Sequence, residues 1–436
     1  METSPQHQPP SFREAFLFWL KLGFISFGGP GGQIALMHTE LVEKKKWISE
    51  ARFLHALNFC MLLPGPEAQQ LATYLGWLLH RTWGGLVAGI LFVLPSVFIL
   101  WGLSAIYIYY GSVPWIEGIF YGLKPAVLAI VLAAAFRIGQ KSLKNNALRF
   151  IAIASFIGIF FLHLPFPVIV FSAAILGFLG SKFQPNLFSF APTTNASPAS
   201  EIEDATIYTA PPTFKYLACV LGIGLFVWWS PILASGLIWG WESTLFQAGY
   251  FFSKAAMVTF GGAYAVLPYV AQQAVENYQW LQPKDVMAGM ALAETTPGPL
   301  IMVLQFYGFL GGWNQPDFPS LFWSATWVGF MATWATFTPC FLYIFAGAPY
   351  IERLRHVKLL SAALSAVTAA VVGFILNLAL WFGLHVLLPA YPEWTRFDWV
   401  ALAIATLSFI ALHRFKVDVL WLLPSTGFVG YLLHLI

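Results

Sequence analysis

Apolar residues fill long stretches of this chain, approximately 12–41, 50–80, 84–110, 115–136, 148–162 and 165–181. They return at 214–240, 245–270, 284–312, 321–346, 357–388, 398–412 and 417–434. A helix of about 20 apolar residues crosses a hydrocarbon core about 30 Å thick. The pattern therefore predicts an all-α polytopic membrane protein. Between Lys182 and Pro212 it lapses. That stretch is rich in Pro, Ser, Thr and Ala, carries Glu201, Glu203 and Asp204, and reads as a flexible linker.

The polar and helix-breaking positions inside the apolar stretches occur twice. Phe27-Gly28-Gly29-Pro30 returns as Phe260-Gly261-Gly262, and Pro64-Gly65-Pro66 as Pro297-Gly298-Pro299. Both returns lie 233 positions on (260 − 27 and 297 − 64). Lys21 and Lys254, Trp47 and Trp280, and Tyr74 and Tyr307 keep the same register. After an extra loop at Gly311 to Ser320 the register shifts, and Trp83, Gly85 and Pro95 match Trp327, Gly329 and Pro339. His163, Gly177 and Gly180 match His413, Gly427 and Gly430 near the ends. The expected organisation is a first repeat at 1–181, a linker plus one extra helix at 182–245, and a second repeat at 246–436. The segment 214–240 has no counterpart.

Composition narrows the class. The chain is 58% hydrophobic and 9% charged, too little charge for a soluble protein of 436 residues. A formal charge of +3 is too small to imply nucleic acid. The first ten residues lack the charged region and small-residue cleavage site of a signal peptide. Cys60, Cys219 and Cys340 are scattered, offer no disulfide framework or metal site, and read as small buried hydrophobes. His38, His55 and His80 show no ligand spacing, so no metal and no cofactor are expected. Trp228, Trp229, Trp239 and Trp241 fit an interfacial belt. No Gly-x-x-x-x-Gly-Lys-Ser/Thr loop is present, so no ATP-driven mechanism is suggested.

Basic residues bear on topology. Lys44, Lys45, Lys46 and Arg52 share one loop, Arg81 sits in the next, and Arg137, Lys141, Lys144 and Arg149 share another. Arg353, Arg355 and Lys358 form a fourth, Arg414 and Lys416 a fifth. All five face the cytoplasm if 12–41 and 50–80 are hairpins of short re-entrant helices. The single extra helix then inverts the second repeat, whose hairpins enter from outside, where only Lys284 adds positive charge. If 12–41 and 50–80 simply cross, the Lys44–Lys46 cluster lies outside. Both topologies fit the sequence.

Phe27 to Gly32 cannot continue a helix, since each Gly costs about 1 kcal/mol and Pro about 3 kcal/mol. Broken backbone at membrane depth is tolerated only inside protein or against a water-filled cavity. A break also creates a helix N-terminus whose N–H groups favour an anion. The second break, Pro64-Gly65-Pro66 and its partner Pro297-Gly298-Pro299, ends one short helix and starts another. Four half-helix starts can thus converge at the midplane. The expected anion site is built from Phe27, Gly28, Gly29, Gly31, Gly65, Phe260, Gly261, Gly262 and Gly298, with Pro30, Pro64, Pro66, Pro297 and Pro299 as helix breaks. Tight helix packing is the competing explanation for the glycines.

Lys21 and Lys254 lie about two turns before the Gly breaks, where a charge costs about 2.5–3.5 kcal/mol on insertion scales. They are candidates to offset an anionic substrate, or lysines that snorkel. Glu294 and Glu67 flank the Pro-Gly-Pro turns and are candidates to carry a coupling proton. For Glu67, at a helix start, capping competes. Gln33, Gln69, Gln70, Gln305 and Asn58 either line a path or bond between helices.

The motif Lys21-x-Gly-x-x-x-Phe-Gly-Gly-Pro30 with Pro64-Gly65-Pro66-Glu67-Ala68-Gln69-Gln70-Leu71-Ala72 resembles the chromate ion transporter family. So does the second pair, Phe260 to Pro268 and Glu294-Thr295-Thr296-Pro297-Gly298-Pro299-Leu300. The likeness covers nearly the whole chain and is similar to the long, two-repeat form. It departs at Ala255-Ala256-Met257, where the first repeat has Leu22-Gly23-Phe24. The resemblance implies a secondary transporter that exports chromate across the cytoplasmic membrane, driven by the proton gradient, with sulfate as a related tetrahedral oxyanion. Its implied partners are the anion, protons and the lipid bilayer, with a homodimer as the candidate assembly. A sulfate importer and an intramembrane enzyme acting on a lipid phosphate are the alternatives.

Overall fold

Ser11 starts the first helix with a reciprocal capping box. Its hydroxyl accepts from the Glu14 N–H at 3.3 Å, and the Glu14 carboxylate accepts from the Ser11 N–H at 2.8 Å. The computed structural model describes residues 10–183, 214–350, 358–388 and 397–435. The linker reading for 184–212 and the basic residues Arg353 and Arg355 lie outside the described residues.

α1 (Phe12–Ile25) ends at a break, α2 (Gly29–His38) follows and winds into a π-helical turn at Thr39–Lys44. α3 (Glu50–Cys60) ends at the second break, and α4 (Glu67–Tyr110) begins beyond it. A straight 44-residue helix would be about 66 Å long. α4 is not straight, because His80 and Arg81 leave helical geometry and Arg81 takes φ 56°. The kink divides it into a short arm behind the break and a membrane-length arm. α5 (Pro114–Ser142), α6 (Asn146–Phe160) and α7 (Phe166–Phe183) complete the first series.

α8 (Phe214–Trp239) stands between the two series. Then the same order returns. α9 (Thr244–Met257), a break, α10 (Ala263–Gln272), a π-helical turn at Gln273–Asn277, α11 (Pro283–Thr295), a second break, a 3₁₀ turn at Leu300–Met302 and α12 (Val303–Asn314) follow. α13 (Leu321–Gly347), α14 (Lys358–Leu387), α15 (Trp399–His413) and α16 (Val419–Leu435) close the chain. The recurrence reaches single bonds. The Trp47 N–H donates to Leu41 O at 2.8 Å, and the Trp280 N–H to Ala274 O at 2.8 Å.

Every regular element among the described residues is a helix. α4, α5, α8, α13 and α14 are long and apolar enough to cross a membrane, and α6, α7, α15 and α16 are shorter apolar helices. Much of the outer surface is apolar, with Phe214, Phe226, Leu237 and Trp421 each exposed by 72% or more. In water such a surface would aggregate; in lipid it is the ordinary exterior. The protein is an all-α, multi-pass membrane protein.

The two series are interlocked. α5 packs against α15 and α16 of the second series, while α14 packs against α6 and α7 of the first. Phe166 meets Phe374 edge-on at 4.4 Å between ring centres within this exchange. α1 packs on α4, and its counterpart α9 packs on α13. Sequence similarity alone places homologous segments side by side in the mind; the fold crosses them.

Three expectations change. α5 runs to Ser142, so Arg137 lies inside a helix rather than in the loop expected after residue 136. Trp228 is buried, and its indole N–H donates to Ser253 Oγ at 3.0 Å, so it belongs to the core and not to an interfacial belt. Cys219 is exposed on α8, whereas Cys60 and Cys340 are buried. A thiol tolerates a lipid-facing surface because it is nearly apolar.

Candidate functional site

The four breaks meet in crossed pairs. The Gly65 N–H donates to Thr259 O at 2.7 Å, and the Gly298 N–H donates to Ser26 O at 2.7 Å. Ser26 and Thr259 are counterparts at the 233-residue displacement, as are Gly65 and Gly298. Each Pro-Gly-Pro turn of one series is therefore bonded to the Gly break of the other. Ser26 and Thr259 also return their hydroxyls to their own helices, on Leu22 O and Ala255 O, each at 2.6 Å.

Glycine is required at the two donors. Gly65 and Gly298 hold φ 125° and 102°, conformations that other L residues rarely adopt. A Cβ on Gly298 would stand 2.0 Å from Ser96 Oγ, and one on Gly65 would stand 2.8 Å from Cys340 Sγ. Ser96 and Cys340 each follow the proline, Pro95 or Pro339, that interrupts a long helix. The two turns thus press against the two long helices in the same way.

Freed backbone carbonyls at the breaks are taken up by glutamine side chains, as broken helices inside a membrane require. Gln33 Nε2 forks to Gly298 O at 2.6 Å and Ser26 O at 3.2 Å. Gln70 Nε2 reaches Pro64 O at 2.7 Å, and Gln305 Nε2 reaches Val97 O at 2.7 Å. Gln69 bonds Thr73 Oγ1 at 3.1 Å. All four are buried; Gln33 and Gln70 hold the breaks, whereas Gln305 ties α12 to α4 and Gln69 bonds within α4. Asn58 is exposed on α3.

The four helix starts are not equivalent. Gly28, Gly31 and Gly32 are exposed, and nothing lies within 4 Å of a Cβ built on Gly29 or Gly31. Gly28, the N-cap of α2, is left-handed at φ 84° with Pro30 in the first turn. In the second series Gly262 caps α10 and is buried, Phe260 and Gly261 are half-buried, and α10 is buried along most of its length. The difference follows from packing: α14 covers α10, whereas α2 packs chiefly on α4 and its own π-helical turn. A symmetric four-way cradle of amides is therefore not what this conformation presents. The amides of Gly65 and Gly298 are spent on carbonyls, and the Phe27–Gly31 break faces outward. Pro66 and Pro299 cap their helix starts in extended conformation, and Pro64 and Pro297 precede the two bonded glycines.

The charged candidates separate as well. Lys21 is exposed on α1. Lys254 is half-buried, with Nζ 4.5 Å from the centre of the Tyr250 ring. Glu67 is the first residue of α4, where the helix dipole favours a carboxylate. Glu294 is buried in the last turn of α11, where the dipole opposes it. The Tyr264 hydroxyl, from the first turn of α10, donates to Glu294 Oε1. Arg137 of α5 lies within electrostatic range of both. A cavity of about 710 Å³, lined by Trp115, Leu123, Pro424 and Phe428 among others, reaches the break at Thr295, beside Glu294.

Tyr264 stands in the quoted motif Phe260 to Pro268 without an assigned role, and Arg137 was placed in a loop. The signal for Tyr264 was a phenol one turn after a break. Arg137 is exposed on α5, and its charge reaches Glu294 only because of how α5 crosses α11. Among the described residues no group of three metal-binding side chains occurs.

The model of the family described as chromate transporter matches residues 13–178 and again 246–431. The chain belongs to the chromate transporter family. It is 30% identical over 373 residues to a chromate transport protein of Cupriavidus metallidurans, covering 85% of this chain and 82% of that one. It is 30% identical over 437 residues to a chromate transport protein of Pseudomonas aeruginosa, covering 97% and 93%. It is also 31% identical over 134 residues to the uncharacterized transporter YwrB of Bacillus subtilis, covering 31% of this chain and 68% of that one. No solved structure matches it. The chromate transporter family consists of transporters, so this protein moves ions across a membrane and is not an enzyme.

Proposed function

We propose that this transporter exports tetrahedral oxyanions, chromate first among them, from the cytoplasm across the cytoplasmic membrane, driven by the proton gradient. The observation that carries this reading is the crossed lock of Gly65 on Thr259 and Gly298 on Ser26. Two interrupted spans bonded to each other inside an apolar helical shell are the usual architecture of a secondary transporter's substrate site. Names of the relatives supply chromate as the anion.

In this conformation the lock is closed, with carbonyls occupying the amides that an oxyanion needs. Opening exchanges the carbonyl of Ser26 or Thr259 for an oxyanion oxygen on Gly298 or Gly65, at no loss of hydrogen bonds. The N-terminal amides of α2 and α10, at Gly28–Gly31 and Gly261–Gly262, add donors from the break on either side. Lys21 and Lys254 offset the charge on approach. Glu294, opposed by its helix dipole, carries the proton; Glu67 is the weaker carrier because its own helix start satisfies it. Units 1–181 and 246–436, joined by 182–245, are an inverted pair, and the match to YwrB, over 31% of this chain and 68% of that one, fits a duplicated unit. Sulfate shares the geometry and charge of chromate and is the expected competitor.

Everted membrane vesicles test this. Labelled chromate is expected to accumulate inside them when the interior is acid, and a protonophore is expected to abolish accumulation. Accumulation that ignores the protonophore would refute proton coupling. Accumulation only in right-side-out vesicles would make the protein an importer.

A further inference from the structure

The two crossed bonds are equal in length, but their surroundings differ. Gln33, buried on α2, donates from Nε2 to Ser26 O at 3.2 Å and to Gly298 O at 2.6 Å. It clasps both partners of the Gly298–Ser26 bond. The residue 233 positions on is Val266, also buried, which has no side-chain donor for Thr259 O or Gly65 O. Beside Gly298 lies the Ser96 hydroxyl, where Gly65 has the Cys340 thiol, a weak donor. One contact thus carries neutral donors that the other lacks.

Packing does not account for Gln33. Its Oε1 is buried without a partner among the described residues, a cost that an apolar side chain of the same length avoids. The second series places valine here and still keeps its crossed bond, Gly65 N–H to Thr259 O at 2.7 Å. What Gln33 adds is its pair of N–H groups.

Parting of the two series leaves different walls at the two contacts. Gln33 and Ser26 belong to one series, so the bond between them survives while the bond to Gly298 O breaks. One Nε2 proton stays on Ser26 O, and the other faces the gap. The Gly298 N–H faces it from across. Both walls then present donors, and Ser26 O stays covered. At the other contact the freed Gly65 N–H faces Thr259 O, a bare carbonyl that repels an anion. The glycine's own carbonyl is open at both contacts and does not distinguish them.

We infer that the transported oxyanion is held at the Gly298 contact, between the Gly298 amide and the Gln33 side-chain amide, and not at the Gly65 contact. This rests on the oxyanion reading above and names the ligand that makes its two halves unequal. Gln33 is a substrate ligand kept on backbone carbonyls until the series part. N–H groups on two facing walls suit two oxygens of one tetrahedral anion, and hydrogen bonds to an ion are stronger than those between neutral groups.

Exchange of labelled chromate in proteoliposomes, at equal concentrations on both sides, tests this with Gln33→Met. Methionine keeps the length and loses both N–H groups. Two effects then oppose each other. Losing the bond to Gly298 O loosens the closed state and enlarges the open fraction, which lowers the apparent KM. Losing a ligand to the anion raises it. A hydrogen bond to an ion outweighs one between neutral groups by about tenfold in equilibrium constant, so the exchange KM is expected to rise roughly tenfold. A residue that only latched the closed state would leave KM unchanged or lower it. Either of those results would overturn the inference while leaving oxyanion transport standing. A density map of the wild-type protein with tungstate needs no variant, and it decides if Gln33→Met does not fold. The ion is expected within hydrogen-bond reach of the Gly298 amide and Gln33 Nε2; an ion on the Gly65 amide, or out of reach of Gln33, would overturn the inference. A wild-type protein that exchanges no oxyanion would remove the functional reading and this inference with it.

Discussion

Gly298 shows how much one hydrogen atom can decide. Its amide is bonded to Ser26 O, its φ is left-handed, and its missing Cβ leaves room for Ser96 Oγ. Gly298→Ala is expected to cost about 1–3 kcal/mol from overpacking. The Ser96→Ala background should return part of that cost, because the nearest remaining Ser96 atom is 3.0 Å from the new Cβ rather than 2.0 Å. Thermal unfolding in detergent measures both; equal stability of Gly298→Ala and wild type would deny the close approach. At this scale the sequence was informative where chemistry is local. Pro-Gly-Pro turns announce a break because proline and glycine act on their own backbone. It flagged Gln33 as a residue that lines a path or bonds between helices, but not that its amide reaches the Gly298 carbonyl 265 residues away, because that contact is fixed only by packing. It also overvalued Gly28, Gly29 and Gly31, since similar motifs do not guarantee similar cover: α14 buries the second copy, and no comparable helix among the described residues buries the first.

The elements were legible to the extent that apolar runs set them. The extra helix expected at 214–240 is α8, and the broken segments expected at 27–32 and 64–66 separate α1 from α2 and α3 from α4. The kink at His80 and Arg81 falls between the runs 50–80 and 84–110, so the sequence divided what the backbone joins by a distorted link. The end of α5 was missed because Arg137 and Lys141 read as loop, whereas long basic side chains can lie along a helix and send their charge outward. Element orientation yields a sharp expectation. If α1–α2 enters from the cytoplasm and α9–α10 from outside, cysteines placed singly at Lys45 and Lys284 should react with an impermeant reagent from opposite faces of the membrane. The background for that test replaces Cys60, Cys219 and Cys340. Labelling of both positions from one face would contradict the inverted arrangement.

Across the whole molecule, the exchange of helices gives the breaks their meeting place. α5 is held by α15 and α16, and α14 by α6 and α7, so neither series completes itself. The crossed bonds between breaks repeat that exchange at the centre. A sequence repeat reveals that two copies exist; it does not reveal that each copy finishes the other, because reciprocal packing leaves no mark in either copy alone. The two series meet at a single junction, which rocking of one against the other would open to either side. Central to the account is that the transported anion is held at this junction. Tungstate, a heavy tetrahedral dianion, makes its position visible in a cryo-electron density map of the protein in lipid. The account predicts one tungstate between the breaks, within hydrogen-bond reach of the Gly65 or Gly298 amide. A tungstate bound elsewhere, with the Gly65–Thr259 and Gly298–Ser26 bonds intact, would contradict it.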